Sequence, residues 1–139
     1  MQADFLDAHY RHWEDAERLF QAQSWANADH LYGFAAECGL KGLMLAFGMP
    51  YDAIKDRPRN EDDRKHADAI WVRFESYRSG HVAGSGYVPA VVGNPFSLWS
   101  ASQRYAHRSN FDVVRATGHR GGADAVRDLV AKAQTEGLC

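Results

Sequence analysis

Residues 28–47 constrain the chain more than any other stretch. They read Ala-Asp-His-Leu-Tyr-Gly-Phe-Ala-Ala-Glu-Cys-Gly-Leu-Lys-Gly-Leu-Met-Leu-Ala-Phe and stop at Gly48-Met49-Pro50. Leu31, Ala35, Cys38 and Leu45 recur at helical steps, and Phe34, Leu40, Leu43, Met44 and Phe47 widen the stripe until little polar surface is left. A helix that is apolar nearly all round is covered by neighbours on most sides. Glu37 and Lys41 interrupt it at i,i+4 with the acid first, the favourable order for an ion pair. Two readings of that pair stay open: a core ion pair that fixes helix register, or the polar floor of a ligand pocket in which Lys41 meets a phosphate. Gly33, Gly39 and Gly42 each weaken the helix by about 1 kcal/mol against Ala, and close approach by another backbone is the expected compensation. The segment therefore reads as the central helix of a small bundle.

At 139 residues the chain is expected to form a single domain over 1–139, long enough to bury a real core. No apolar run reaches the roughly 20 residues a bilayer span needs, so no membrane association is expected. The N-terminus carries acids where a signal peptide carries positive charge. A soluble cytoplasmic protein is the expectation. Cys38 lies in the apolar helix and Cys139 is the last residue; no CxxC or Cys/His cluster predicts a metal site, and no cofactor motif appears. The net charge of −2 opposes a wholly basic nucleic-acid coat protein. Basic residues still gather locally, as Arg57, Arg59, Arg64 and Lys65, and as Arg104, Arg108, Arg115 and Arg120.

Taken in order, residues 4–23 predict a first helix with Phe5, His9, Trp13, Ala16 and Phe20 on one face. Ser24 and Asn27 are candidate N-caps for the central helix, and Asp29 is read as a first-turn acid that suits the helix dipole. The short break makes these helices antiparallel neighbours. Residues 51–64 are polar, contain Pro58 and predict a surface loop. A third helix is expected over 63–79, with Ala67, Ile70, Trp71, Phe74 and Tyr77 inward, His66 in its first turn and Gly80 as its C′ residue. Residues 80–94 hold four glycines and Pro89 and predict a long loop across the bundle with weak strand character. The last helix is expected over 122–136.

Several of these segments resemble one family. Ala-Glu-Cys-Gly-Leu-Lys-Gly-Leu in the central helix is similar to the "AxExxLKxLL" signature of HEPN domains, the nucleotide-binding domains shared by higher eukaryotes and prokaryotes. Ala28-Asp29-His30-Leu31 resembles the "A-x-H-L" start of that helix, His66 to Trp71 the "HxxxLW" third helix, and Gln103-Arg104-Tyr105-Ala106 the "RYP" motif, with Ala106 in place of the proline. The resemblance implies an all-α, antiparallel, up-and-down bundle of four to five helices with a long glycine-rich loop before the last. It also implies a homodimer, and a role as ribonuclease toxin, as partner of a nucleotidyltransferase-type protein, or as a non-catalytic nucleotide-binding module. The family's ribonucleases carry Arg, a polar residue and then His. Arg59, Asn60 and His66 match that spacing ahead of the third helix, whereas Arg104/His107 and Arg115/His119 are closer together.

Histidine can take a proton from a ribose 2′-hydroxyl near neutral pH, and arginine can clamp the scissile phosphate through a bidentate fork. The candidate catalytic residues are thus His66 with Arg59 or Arg104. The candidate ligand-binding residues are Glu37, Lys41, Tyr105 and Trp71, the two aromatics as platforms for a base. The expected function is a nucleotide- or RNA-associated module of a prokaryotic toxin–antitoxin, defence or stress system, metal-independent if it cleaves RNA. The alternative is a helical scaffold with a vestigial pocket.

Overall fold

Helix α1 (Phe5–Gln21) starts where the Asp4 carboxylate accepts the N–H groups of Leu6 and Asp7, and it ends as Gln23 turns left-handed. The computed structural model describes residues 2–139. Helix α2 (Trp25–Ala46) begins three residues earlier than the apolar pattern indicates and stops at Gly48, whose φ of 92° favours glycine. Ser24 occupies the N-cap position, but its hydroxyl caps no first-turn N–H. Asp29 is not a first-turn residue. It lies one turn further in and is fully buried.

The stretch expected to be a surface loop holds a two-stranded hairpin, β1 (Tyr51–Asp52) and β2 (Arg57–Pro58), followed by a 3-10 turn at Glu61–Arg64. Helix α3 (Ala67–Ser79) follows directly, so its start lies beyond the expected residue 63 and His66 is its N-cap. Gly80 ends it in right-handed geometry, not in the left-handed C′ conformation expected of it. The long connection after α3 contains 3-10 turns at Gly84–Gly86, Ala101–Tyr105 and Arg108–Asn110 and no strand. Helix α4 (Val113–Thr135) starts nine residues before the expected 122, because Asp112 accepts the Arg115 N–H at 2.8 Å and nucleates the helix upstream of its glycines.

As expected of an apolar helix, α2 is wrapped by α1, α3 and α4. Residue pairs fix the directions. Glu17 meets Tyr32, and Leu6 packs on Gly42, so α1 and α2 are antiparallel. Asp29 meets His119, and Gly39 packs on Val126, so α4 runs in the same sense as α2. Glu37 meets His66, and Phe47 faces Phe74, which gives α3 that sense too. The simple up-and-down order is therefore corrected: the chain must return to its starting end twice, which requires the long connections before α3 and α4.

The glycines of α2 admit side chains, not a neighbouring backbone. A Cβ on Gly33 would lie 2.0 Å from Trp99 Cε2, one on Gly39 2.6 Å from Val126, and one on Gly42 2.6 Å from Leu6. Trp99 belongs to the long connection and is buried together with Phe96 and Tyr87, so this connection forms part of the core.

Candidate functional site

Two elements, α2 and the N-cap of α3, bring three polar side chains together. Glu37 and Lys41 lie one helical turn apart, both 7% exposed, with Lys41 Nζ donating to Glu37 Oε1 at 2.7 Å. The other carboxylate oxygen, Oε2, lies 3.0 Å from Nδ1 of His66, whose side chain is 52% exposed. A carboxylate accepts only, so Nδ1 is the protonated nitrogen and Nε2 is left as the free acceptor in the neutral ring. The core pair thus also orients an imidazole at the surface, and the two readings of Glu37 and Lys41 meet in one arrangement.

That imidazole opens on a cavity of about 550 Å³ lined by Arg64, Lys65, Ser100, Ser102 and Arg104 as well as Asp68. Arg104 ends the 3-10 turn at Ala101–Tyr105 and also lines a second cavity of about 640 Å³, beside the first turn of α2, with His30, Tyr105 and Arg108. Its guanidinium stacks 4.8 Å from the centroid of the exposed Tyr105 ring. Among the described residues Arg104 and Arg108 form no ion pair, whereas Arg73, Arg115 and Arg120 are held by Asp63, Asp29 and Glu17. Arg104 lines both cavities, whose linings together hold Arg64, Lys65, Arg104 and Arg108 with one acid, Asp68; the Arg64 guanidinium is itself held by the carbonyls of Pro58 and Arg59 at 2.8 and 2.6 Å.

A buried anchor holds Arg104 at this junction. Asp29 Oδ1 lies 2.5 Å from His119 Nδ1, and Oδ2 accepts from Gln103 Nε2 at 2.7 Å and from Arg115 Nε at 3.4 Å. Trp99 Nε1 adds a bond to the Asp29 carbonyl at 3.2 Å. The connection preceding α4 is therefore tied to α2 on both sides of Arg104. Arg115 and His119, too close in sequence for the family's Arg/His spacing, meet on this one carboxylate. Their spacing, four apart, is visible in the sequence; their common partner, 86 and 90 positions away, is not.

Three histidines surround Phe34: His30 at 4.7 Å, His12 at 5.8 Å and His66 at 6.3 Å between ring centroids. His30 also stacks on Trp99, and its Nδ1 is shut from solvent without a hydrogen-bond partner. Burial, assisted by the positive charge of Arg104, pushes the His30 pKa down. His9 is fully buried, with Nδ1 2.7 Å from the Ala35 carbonyl, and burial lowers its pKa as well. Among the described residues no group of three or more His, Cys, Asp or Glu side chains is placed to hold a metal ion.

The remaining predicted residues separate. Arg59 donates to the Tyr51 carbonyl at 3.2 Å on the hairpin and lines neither cavity. Trp71 is 5% exposed and packs against Phe96 at 5.9 Å, so its ring is core and lines neither cavity. Tyr105 lines the larger one. The residues added by folding are His30, Arg64, Lys65 and Arg108; of these, the three basic ones already stood out as local charge clusters. Comparison with family models, curated proteins and solved structures finds no match to this chain. No helix among the described residues is long and apolar enough to cross a membrane.

Proposed function

We propose that this chain is an RNA-associated, HEPN-like helical module that receives single-stranded RNA in the two cavities that share Arg104. One observation carries the reading: a carboxylate-oriented imidazole, His66 on Glu37, opens on a cleft whose unpaired Arg104 continues into a second basic cavity. Cations that follow a groove neutralise phosphates, and exposed rings such as Tyr105 stack bases without regard to sequence. In this reading His66 Nε2 takes the proton of a ribose 2′-hydroxyl, whose oxygen attacks the phosphorus of the phosphate bound by Arg104; a 2′,3′-cyclic phosphate forms as the P–O5′ bond breaks and the leaving 5′-oxygen takes a proton from water, a cleavage that calls on no metal ion. Glu37 then serves as the positioning residue for His66, by fixing its tautomer. The setting proposed is a cytoplasmic prokaryotic toxin–antitoxin, defence or stress system, with the chain acting as a homodimer beside a nucleotidyltransferase-type partner.

A second reading has its own support. The Glu37–Lys41 pair is closed off from solvent and Arg59 is engaged on the hairpin, as suits a scaffold with a vestigial pocket. Purified protein incubated with single-stranded RNA in chelator separates the two. Cleavage lost in His66→Ala and Arg104→Ala, with both variants folded, supports the nuclease. Cleavage equal in all three proteins removes these residues from the chemistry. RNA binding that is absent from the wild type leaves the scaffold.

A further inference from the structure

We propose that Lys41, buried behind Glu37, is a positioning residue that keeps His66 Nε2 bare at neutral pH by supplying the positive charge that would otherwise arrive as a proton. The inference rests on the RNA-associated reading, in which that nitrogen is the base, and adds a residue to it. Three side chains in series carry the argument. Lys41 Nζ donates to Glu37 Oε1 at 2.7 Å, and His66 Nδ1 lies 3.0 Å from Oε2. Among the described residues the Glu37 carboxylate has no third partner, and Lys41 Nζ has no second acceptor. The side chains of Glu37 and Lys41 are 10% and 8% exposed, and neither lines the cavity on which His66 opens.

With Lys41 in place, an ammonium, a carboxylate and a neutral imidazole sum to zero charge. Glu37 then only accepts, so the imidazole proton sits on Nδ1 and Nε2 keeps its lone pair. Without the ammonium, the Glu37–His66 pair carries one uncompensated negative charge on a carboxylate that burial disfavours. Taking up one proton cancels it, and Nε2 ends protonated by either route. If the imidazole becomes cationic, both ring nitrogens hold a proton. If the carboxyl becomes neutral, it donates to Nδ1 and the ring's own proton moves to Nε2. The base is lost in both states, with no change in the groups that line the cavity. The other charged and titratable groups facing the pair are His12 on α1, His30 on α2, and Arg64, Lys65, Asp68 and Arg104 around the cavity. None of them bonds to Glu37, and all stay in place when Lys41 is replaced, so a Lys41 variant isolates its charge.

Nitrogen-15 NMR of the histidine rings in the folded protein without RNA tests this directly, with His66→Ala identifying the His66 signals. At pH 7 the wild type is expected to show a protonated Nδ1 and a bare Nε2, and Lys41→Met a protonated Nε2. In RNA cleavage at pH 7, Lys41→Met is expected to lose at least tenfold in kcat with KM within twofold of wild type. Its kcat should recover as alkaline pH strips the added proton, a recovery that a packing defect would not show. A protonated Nε2 beside a bare Nδ1 in the wild type overturns the proposal whether or not Lys41→Met folds, and so does a bare Nε2 in Lys41→Met at pH 7. Cleavage that needs His66 but is indifferent to Lys41 sinks this inference alone. The expected NMR signals in a wild type that cleaves no RNA uphold the charge relation and sink only the broader reading.

Discussion

Replacing Gly33 by Ala puts the packing of the long connection against α2 to a direct test. The added methyl group would stand 2.0 Å from Trp99 Cε2 and 2.2 Å from Nε1, about 1.5 Å short of a normal carbon contact of roughly 3.5 Å. A helical Gly→Ala change alone gains about 1 kcal/mol. Against this, forcing a methyl group into a filled core costs about 1–3 kcal/mol. Driving the indole back also breaks its bond to the Asp29 carbonyl and leaves buried polar groups unpaired, at about 1–3 kcal/mol. The net is a destabilisation of about 1–5 kcal/mol. The internal control is Gly118→Ala in α4, where a Cβ meets nothing within 4 Å and the propensity gain of about 1 kcal/mol stands unopposed. Urea unfolding, with a slope of about 1–3 kcal/mol per M for small proteins, reads both as opposite shifts of the midpoint. A Gly33→Ala protein as resistant to urea as wild type would show that Trp99 is not seated on α2, and the anchoring of Arg104 would fall with it.

The other consequences concern buried polar groups. Glu37→Gln strands the Lys41 ammonium in the core and is expected to cost about 3–5 kcal/mol, with most of it recovered in the double variant Glu37→Leu/Lys41→Met; an undisturbed midpoint in Glu37→Gln would mean that the pair is solvated. His9 has a folded-state pKa below its ordinary 6.5, so the unfolded chain takes up the proton first as the pH falls. The stability owed to neutral His9 is complete above about 6.5 and drains below it, by up to about 1.4 kcal/mol per pH unit. Unfolding free energies measured from pH 7.5 to 5 should therefore fall less steeply in His9→Phe, and an unchanged slope would place His9 in water. Asp29→Asn removes the charge that holds Arg115 and His119; amide hydrogen exchange around residues 96–106 should accelerate, and equal protection would rule out Asp29 as the anchor of that segment.

Much of this was legible in the chain. The apolar envelope of residues 28–47 announced a helix with neighbours on every side, and the Glu37–Lys41 spacing announced their contact. Three kinds of feature were not visible. The directions of α3 and α4 depend on the long connections, which carry no periodicity. The start of α4 was hidden by Gly118, Gly121 and Gly122, which local propensity treats as breaks, although capping by Asp112 and packing of Gly122 against Phe96 outweigh them. Asp29 read as a dipole-compensating acid because its partners, Gln103, Arg115 and His119, are brought to it only by the fold. At the site, the separate basic clusters were readable, but the placing of Arg104 between a cavity with Arg64 and Lys65 and another with Arg108 was not. Arg59 illustrates the converse: the right residue at the right spacing, carried away by a hairpin whose two-residue strands leave almost no pattern.

The claim on which the functional account turns is that RNA phosphates lie along the cavities that Arg104 lines. The salt dependence of binding to a short single-stranded RNA, followed by fluorescence anisotropy, measures this most directly. Removing one phosphate contact lowers the slope of log K against log salt by about 0.7. Arg104→Gln is expected to show that loss while Arg59→Gln keeps the wild-type slope. Equal slopes in wild type and Arg104→Gln, or a loss in Arg59→Gln as large as that in Arg104→Gln, would contradict it.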